Sequence, residues 1–212
     1  RLHASLCAQT FGDFDVIVVD DASAEAPYDV LTDSRFRVVR RDRNTGPASC
    51  RNAGAAAARS DLLFFTDTDC ELAPDTLRQA MAHLRRDAAT MGNTVTRTES
   101  VFGKAVALLG FPGGGCIGFD RVWRVDAEGY TNSFSSCNLG FRRETFEGLG
   151  GFEAFPVAGG EDTVLARKMA DAFAGRPHGP IYTRGDNPTV MALDDAIAEL
   201  EHAEAVRAFA SG

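Results

Sequence analysis

Four short stretches of the chain carry the side chains best suited to chemistry on a polar substrate. Asp20 and Asp21 close the apolar run DVIVVDD, Asp67, Thr68 and Asp69 close DLLFFTDTD, and Glu161 and Asp162 open EDTVLARKM. The fourth, NTGPASCRNAG, sets Asn44, Gly46, Arg51 and Asn52 around a glycine turn. Two carboxylates one residue apart at a strand end can turn toward one pocket, where their hard oxygens suit Mg2+ or Mn2+. A carboxylate within hydrogen-bond reach of a hydroxyl can take its proton as that hydroxyl attacks. Glycine lets backbone approach a ligand closely, and arginine brings positive charge to anionic groups. Each feature has a plainer alternative. Strand-end Asp also caps helices, acids at a helix start complement the helix dipole, and Arg51 can sit on a solvated helix face. Two acidic clusters on separate strands favour a site over isolated caps.

The elements that must hold these residues alternate between strand and helix patterns. DVIVVDD, FRVV at Phe36–Val39 and DLLFFTDTD are continuous apolar runs, the mark of strands covered on both faces in an α/β sheet. Between the last two, GPASCRNAGAAAARS predicts a helix with Pro47 in its first turn and small residues for close packing. APDTLRQAMAHLRR predicts another, with Leu77, Met81 and Leu84 on one face. In open α/β sheets ligands bind outside the carboxyl ends of the strands, where both acidic clusters lie. The second half is less regular: a Gly-rich loop at FPGGG, strand-like GFDRVWRV and SFSSCNLGF, then a helix starting near Gly160 with Val164, Leu165, Lys168, Met169, Ala172 and Phe173 approximating one face.

The 212 residues suffice for one large domain or two small ones with a substantial core, and 44% hydrophobic with 25% charged residues exclude a disordered or disulfide-scaffold protein. Lys and Arg number 22 against 30 Asp and Glu, a net charge of -8, the wrong sign for a protein that grips nucleic acid by its phosphates. An acidic protein with an anionic substrate needs a local device such as a metal ion, a helix N-terminus or a few arginines. The five cysteines form no CxxC pair and are odd in number, which argues for a reduced chain over a disulfide framework or structural zinc. No apolar run approaches the length of a bilayer span, the longest being Ala105 to Phe111. The four histidines are scattered and read as ordinary residues.

Taken together, DFDVIVVDDAS, NTGPASCRNAG, DLLFFTDTDC, and GGF followed by GGEDTVLARKM strongly resemble family 2 glycosyltransferases of the GT-A fold, nearly to Lys168. The resemblance implies an α/β GT-A domain over 1–212, with a Rossmann-like, mostly parallel sheet. Residues 1–97 would form the nucleotide-sugar-binding half and 98–212 the acceptor-binding, catalytic-base half. It implies an inverting, metal-dependent enzyme moving a hexosyl group from a nucleotide-sugar, a UDP-sugar by expectation, to an acceptor hydroxyl. Asp21, beside Asp20, would accept a hydrogen bond from the base, with Ser23 holding the turn. Asn44, Gly46, Arg51 and Asn52 would approach the nucleotide, Arg51 either meeting the diphosphate or bracing the aspartates. Asp67 and Asp69 match the DxD motif, Asp69 as ligand of Mn2+ or Mg2+ and Asp67 on the ribose or a metal-bound water. Asp162 would be the general base. Glu161, Gly151, Phe152 and Trp123 fall on the acceptor side, although aromatics such as Trp123, Phe134 and Phe152 are also core candidates.

The pattern departs from the family in places. The strand that usually precedes the first helix is missing, so the chain reads as N-terminally truncated. The QxxRW motif of processive synthases is absent, and His178 precedes IYT, where members carry His after the strand. A single-addition transferase is therefore expected, acting on a carbohydrate, glycolipid or protein acceptor in envelope polysaccharide synthesis. Its expected place is the cytoplasm, extending to peripheral contact with the inner face of the membrane. Two alternatives stand beside it: a nucleotide-sugar-binding module without turnover, and a response-regulator-like receiver suggested by paired Asp20 and Asp21. No GxGxxG follows a strand, which disfavours a dinucleotide-binding oxidoreductase. The tail LDDAIAELEHAEAVRAFA reads as a terminal amphipathic helix.

Overall fold

A computed structural model describes residues 1–25, 28–95, 97–107, 127–131, 134–153, 160–174 and 181–182. The predicted FPGGG loop, the strand-like GFDRVWRV with Trp123, His178 and the C-terminal helix lie outside these residues.

The first half follows the alternation read from the sequence in β1 (Val16–Asp20), β2 (Phe36–Arg40), α2 (Gly46–Ala57), β3 (Leu62–Thr66) and α3 (Thr76–Leu84), with α1 (Leu2–Cys7) ahead of them and β4 (Ala89–Met91) after them. The second half adds α4 (Val101–Ala107), β5 (Tyr130–Thr131), β6 (Asn138–Arg142), α5 (Arg143–Gly148), α6 (Glu161–Ala172) and β7 (Ile181–Tyr182). Strands β1 and β2 form a parallel pair, Val16 opposite Phe36 through Asp20 opposite Arg40. The larger sheet has the order β3-β6-β4-β7-β5. Within it β3, β4 and β7 run in one direction, while β6 lies antiparallel between β3 and β4, and β5 antiparallel beside β7. Among the described residues β1 pairs with β2 and β3 with β6, so no ladder joins the two sheets.

Both faces of β3 are covered, by alternation of its side chains. Leu63 and Phe65 enter the main core with Ala48 and Ala55 of α2, Leu139 and Phe141 of β6, Phe146 of α5, Phe152, and Leu165, Ala166 and Met169 of α6. Phe64 points the other way, against Leu6 of α1 and Leu72 and Leu77 near α3. Phe65, Phe146 and Phe152 form a triangle with centroids 5.2, 5.2 and 5.5 Å apart, each pair worth about 0.5–1.5 kcal/mol beyond area burial. This triangle ties the end of β3 to the segment that leads into α6. Phe152 and Phe134, candidates for stacking on a sugar, are instead 3% and 2% exposed within the core. Of the predicted α6 face, Leu165 and Met169 are fully buried with Ala166, while Lys168 turns aside to pair with Glu153.

Candidate functional site

Asp20 ends β1 with its carboxylate turned inward, 7% exposed. It accepts from the Ser23 backbone N–H at 2.9 Å and from the Tyr28 hydroxyl, and Arg40 stands 3.3 Å away. Hydrogen bonds from the Ser23 and Tyr28 hydroxyls, then the Ser23 N–H, outweigh desolvation and hold the carboxyl at about 2. Asp21 reaches forward to the start of α2. One oxygen accepts from the Thr45 N–H and hydroxyl, each at 2.9 Å, and the other from the Gly46 N–H at 2.7 Å. Desolvation would raise its pKa, but the Thr45 and Gly46 N–H groups together overcome it and hold the carboxyl below the usual range. The first helical turn of α2 is thus capped by Asp21, the residue that follows β1, with Pro47 occupying the position whose N–H is not needed. Gly46 takes φ +81°, and open space surrounds the place where a Cβ would stand.

One face of α2 reaches the second cluster. Arg51 donates from Nη2 to Asp67 Oδ1 at 2.7 Å and from Nη1 to Glu161 Oε1 at 2.6 Å. The arginine side chain is 15% exposed, Glu161 9% and Asp67 40%. Asn52, one residue on, makes a reciprocal pair with the backbone of Phe152: Nδ2 donates to the carbonyl at 2.7 Å, and the Phe152 N–H donates to Oδ1 at 2.9 Å. Gly151 precedes it at φ +69°, and a Cβ there would meet Asn52 Oδ1 at 2.7 Å and the Phe146 ring at 3.3 Å. Both backbone conformation and space call for glycine.

Glu161 and Asp162 form the first turn of α6. Glu161 points inward to Arg51, whereas Asp162 remains partly open and accepts from the Thr163 N–H at 2.8 Å. Burial raises the Asp162 pKa; adjacent Glu161 adds to this, while the Thr163 N–H and Arg51 oppose it. A carboxylate whose pKa is raised is a stronger base, which is what a proton acceptor needs. After β3, Asp69 is exposed and makes no hydrogen bond or ion pair with the described residues. Across the β3–β6 ladder from Thr66, Asn138 Oδ1 is buried without a partner among the described residues.

The predicted site residues therefore fall into two groups on α2. Asp21 and Gly46 meet at its start, with Asp20 beside them; Arg51, Asn52, Asp67, Gly151, Phe152 and Glu161 meet along it, with Asp162 adjacent. Asn44 and Asp69 are exposed and stand outside both sets of contacts. Tyr28, Arg40 and Thr45 were not singled out from the sequence. Thr45 had a signal, a threonine just ahead of a Gly-Pro helix start, while Tyr28 and Arg40 meet Asp20 only through tertiary folding. Arg40, Arg41, Asp42, Arg43 and Thr45 line an open cavity of about 420 Å3 at the end of β2, so arginines offset the acidic balance locally.

A family model described as Glycosyl transferase family 2 matches residues 1–149. The succinoglycan biosynthesis protein ExoO of Rhizobium meliloti (strain 1021) is 41% identical over 92 residues, 42% of this chain and 26% of that protein. Among solved structures, mannosyltransferase PcManGT from Pyrobaculum calidifontis in complex with GDP-Man and Mn2+ matches with TM-score 0.57 at 21% identity, covering 86% of this chain and 49% of that one. S. aureus TarS 1-349 in complex with UDP-GlcNAc matches at 0.62 and 18%, covering 88% and 52%. The chain spans about a quarter of the curated relative and about half of the solved ones. A second model, Cys/Met metabolism PLP-dependent enzyme, matches residues 161–212. Its match begins on α6, which is built into the core through Leu165, Ala166 and Met169 and into the site through Glu161. The chain's lysines, the residue type that carries such a coenzyme, are Lys104 on α4 and Lys168, held by Glu153 and the Leu149 carbonyl.

Proposed function

The chain belongs to glycosyl transferase family 2, and on that premise we propose that it moves a sugar from a nucleotide-sugar to an acceptor hydroxyl with inversion at the anomeric carbon. The observation that carries the reading is the meeting of three sequence blocks on one arginine: Arg51 joins Asp67 of the DxD turn to Glu161, next to Asp162. Asp162 is the proton acceptor for the attacking hydroxyl, and its raised pKa supports that role. Asp69 has hard oxygens with no partner among the described residues and, with Asp67, suits Mn2+ or Mg2+. When bound, the cation neutralises charge on the departing diphosphate.

Residues 1–97 serve the donor and 98–212 the acceptor. The donor is a UDP-sugar, and the cavity lined by Arg40, Arg41, Arg43, Thr45 and the single acid Asp42, with arginines in excess, supports an anionic ligand there. The acceptor is a carbohydrate, glycolipid or protein in polysaccharide synthesis at the cell envelope, with the enzyme in the cytoplasm or against the inner face of the membrane. No described helix is long and apolar enough to cross a bilayer.

A thermal-shift screen of UDP- and GDP-sugars with Mn2+ or Mg2+ tests this reading. Stabilisation that needs the metal and disappears in Asp69→Ala is expected. Slow donor hydrolysis lost in Asp162→Asn, with nucleotide binding retained, separates turnover from binding alone. Nucleotide binding indifferent to metal and to Asp69 would overturn the metal assignment.

A further inference from the structure

We propose that Arg51 is a positioning residue for sugar transfer: by bridging Asp67 and Glu161 it holds the N-terminus of α6, and with it Asp162, in register with the carboxylates after β3. The inference rests on the transferase reading above and extends it to a residue whose guanidinium is engaged by two carboxylates of the protein. The two arms of the guanidinium are already engaged, Nη2 by Asp67 at 2.7 Å and Nη1 by Glu161 at 2.6 Å. A planar fork of fixed geometry converts two hydrogen bonds into a fixed separation between their acceptors, which a single ammonium on a flexible stem does not.

The surroundings hold the arginine itself. Its guanidinium lies 5.5 Å from the centroid of the Phe152 ring, and Phe152 is fastened through its backbone to Asn52, the next residue of α2. Consecutive residues of one helix thus pin both sides of the acceptor segment, Asn52 at Phe152 and Arg51 at Glu161. Asp162 is one residue beyond the second pin. Since proton transfer demands hydrogen-bond reach, a shift of about 1 Å in that carboxylate lowers turnover by roughly 100-fold. Glu161, buried and committed to Arg51, belongs to this brace and not to an acceptor contact.

The test compares the parent chain, Arg51→Met, Glu161→Met and the double variant. Hydrolysis of UDP-GlcNAc and GDP-mannose with Mn2+ is followed, and UDP and GDP affinities are measured by calorimetry. Each single variant is expected to lower kcat by about 10- to 100-fold, with donor KM and nucleotide affinity within about threefold of the parent, the signature of lost geometry at the reacting centre. The double variant is expected to be no worse than Arg51→Met, because both changes break the same bridge. Should Arg51→Met fail to give a cooperative urea transition, Arg51→Lys carries the same expectation. Loss of UDP or GDP affinity with kcat unchanged would mean that Arg51 serves the diphosphate, and multiplying effects in the double variant would mean that the two residues act separately; either overturns the proposal. A parent that binds neither nucleotide with Mn2+ and hydrolyses neither donor would overturn the transferase reading itself.

Discussion

Replacing Asn52 by alanine separates a structural latch from a nucleotide contact. The amide of Asn52 satisfies two main-chain groups of Phe152, the carbonyl at 2.7 Å and the N–H at 2.9 Å, and Phe152 is 3% exposed. Leaving one buried donor or acceptor unpaired costs about 1–3 kcal/mol. Two such groups give roughly 2–6 kcal/mol by that rule, and a water entering the space left by the amide would restore part of it, so the lower half, about 2–4 kcal/mol, is expected. For a chain of this size each kcal/mol is about 2–4 °C, which places the fall in Tm near 5–15 °C. Urea unfolding should show the midpoint drop with little change in slope, since the same surface is exposed on unfolding. UDP affinity of the folded fraction should stay close to that of the parent. A stability change under about 0.5 kcal/mol, the range of an ordinary surface substitution, together with lost UDP binding, would refute the latch and return Asn52 to the nucleotide.

Gly151→Ala presses a Cβ to 2.7 Å from Asn52 Oδ1 at φ +69° and should destabilise by about 1–3 kcal/mol in the same urea assay; a neutral effect would contradict the close approach. Asp20 is held at about 2 against an ordinary 3.8, so its contribution to stability is complete above about pH 4 and drains as pH falls toward 2. The stability gap between parent and Asp20→Asn should therefore narrow across that window, and a gap constant with pH would exclude the linkage. Burial raises the Asp162 pKa, and a base works deprotonated, so the acid limb of donor hydrolysis should lie above the ordinary aspartate value. Asp162→Asn should lower kcat by about 100-fold or more, and an unshifted acid limb would argue for a different base.

Much of the first half was legible from residue order alone. Short apolar runs, a proline at a helix start and acids at strand ends depend on local backbone chemistry, and they located β1, β2, β3, α2 and α3. The second half was harder because its order comes from pairing across long separations. Strand β6 joins β3 to β4 in antiparallel register, β5 and β7 are two residues each, and nothing in such short segments announces a partner. Phe134 and Phe152 illustrate the same limit: an aromatic is equally suited to a sugar face or a core, and only neighbours such as Phe65 decide.

The sequence by itself determined the chemistry available: which carboxylates, which arginine and which glycine turn the chain possesses, and the family to which their order belongs. Tertiary structure decided what each group faces. It turned Asp21 onto the start of α2, buried Asp20 against Tyr28 and Arg40, gave Asn52 to the backbone of Phe152, and brought Arg51 between Asp67 and Glu161. The reason is physical: hydrogen-bond partners of buried polar groups are chosen by which elements pack together, and that choice is settled by the common core of α2, β3, β6 and α6, not by spacing along the chain.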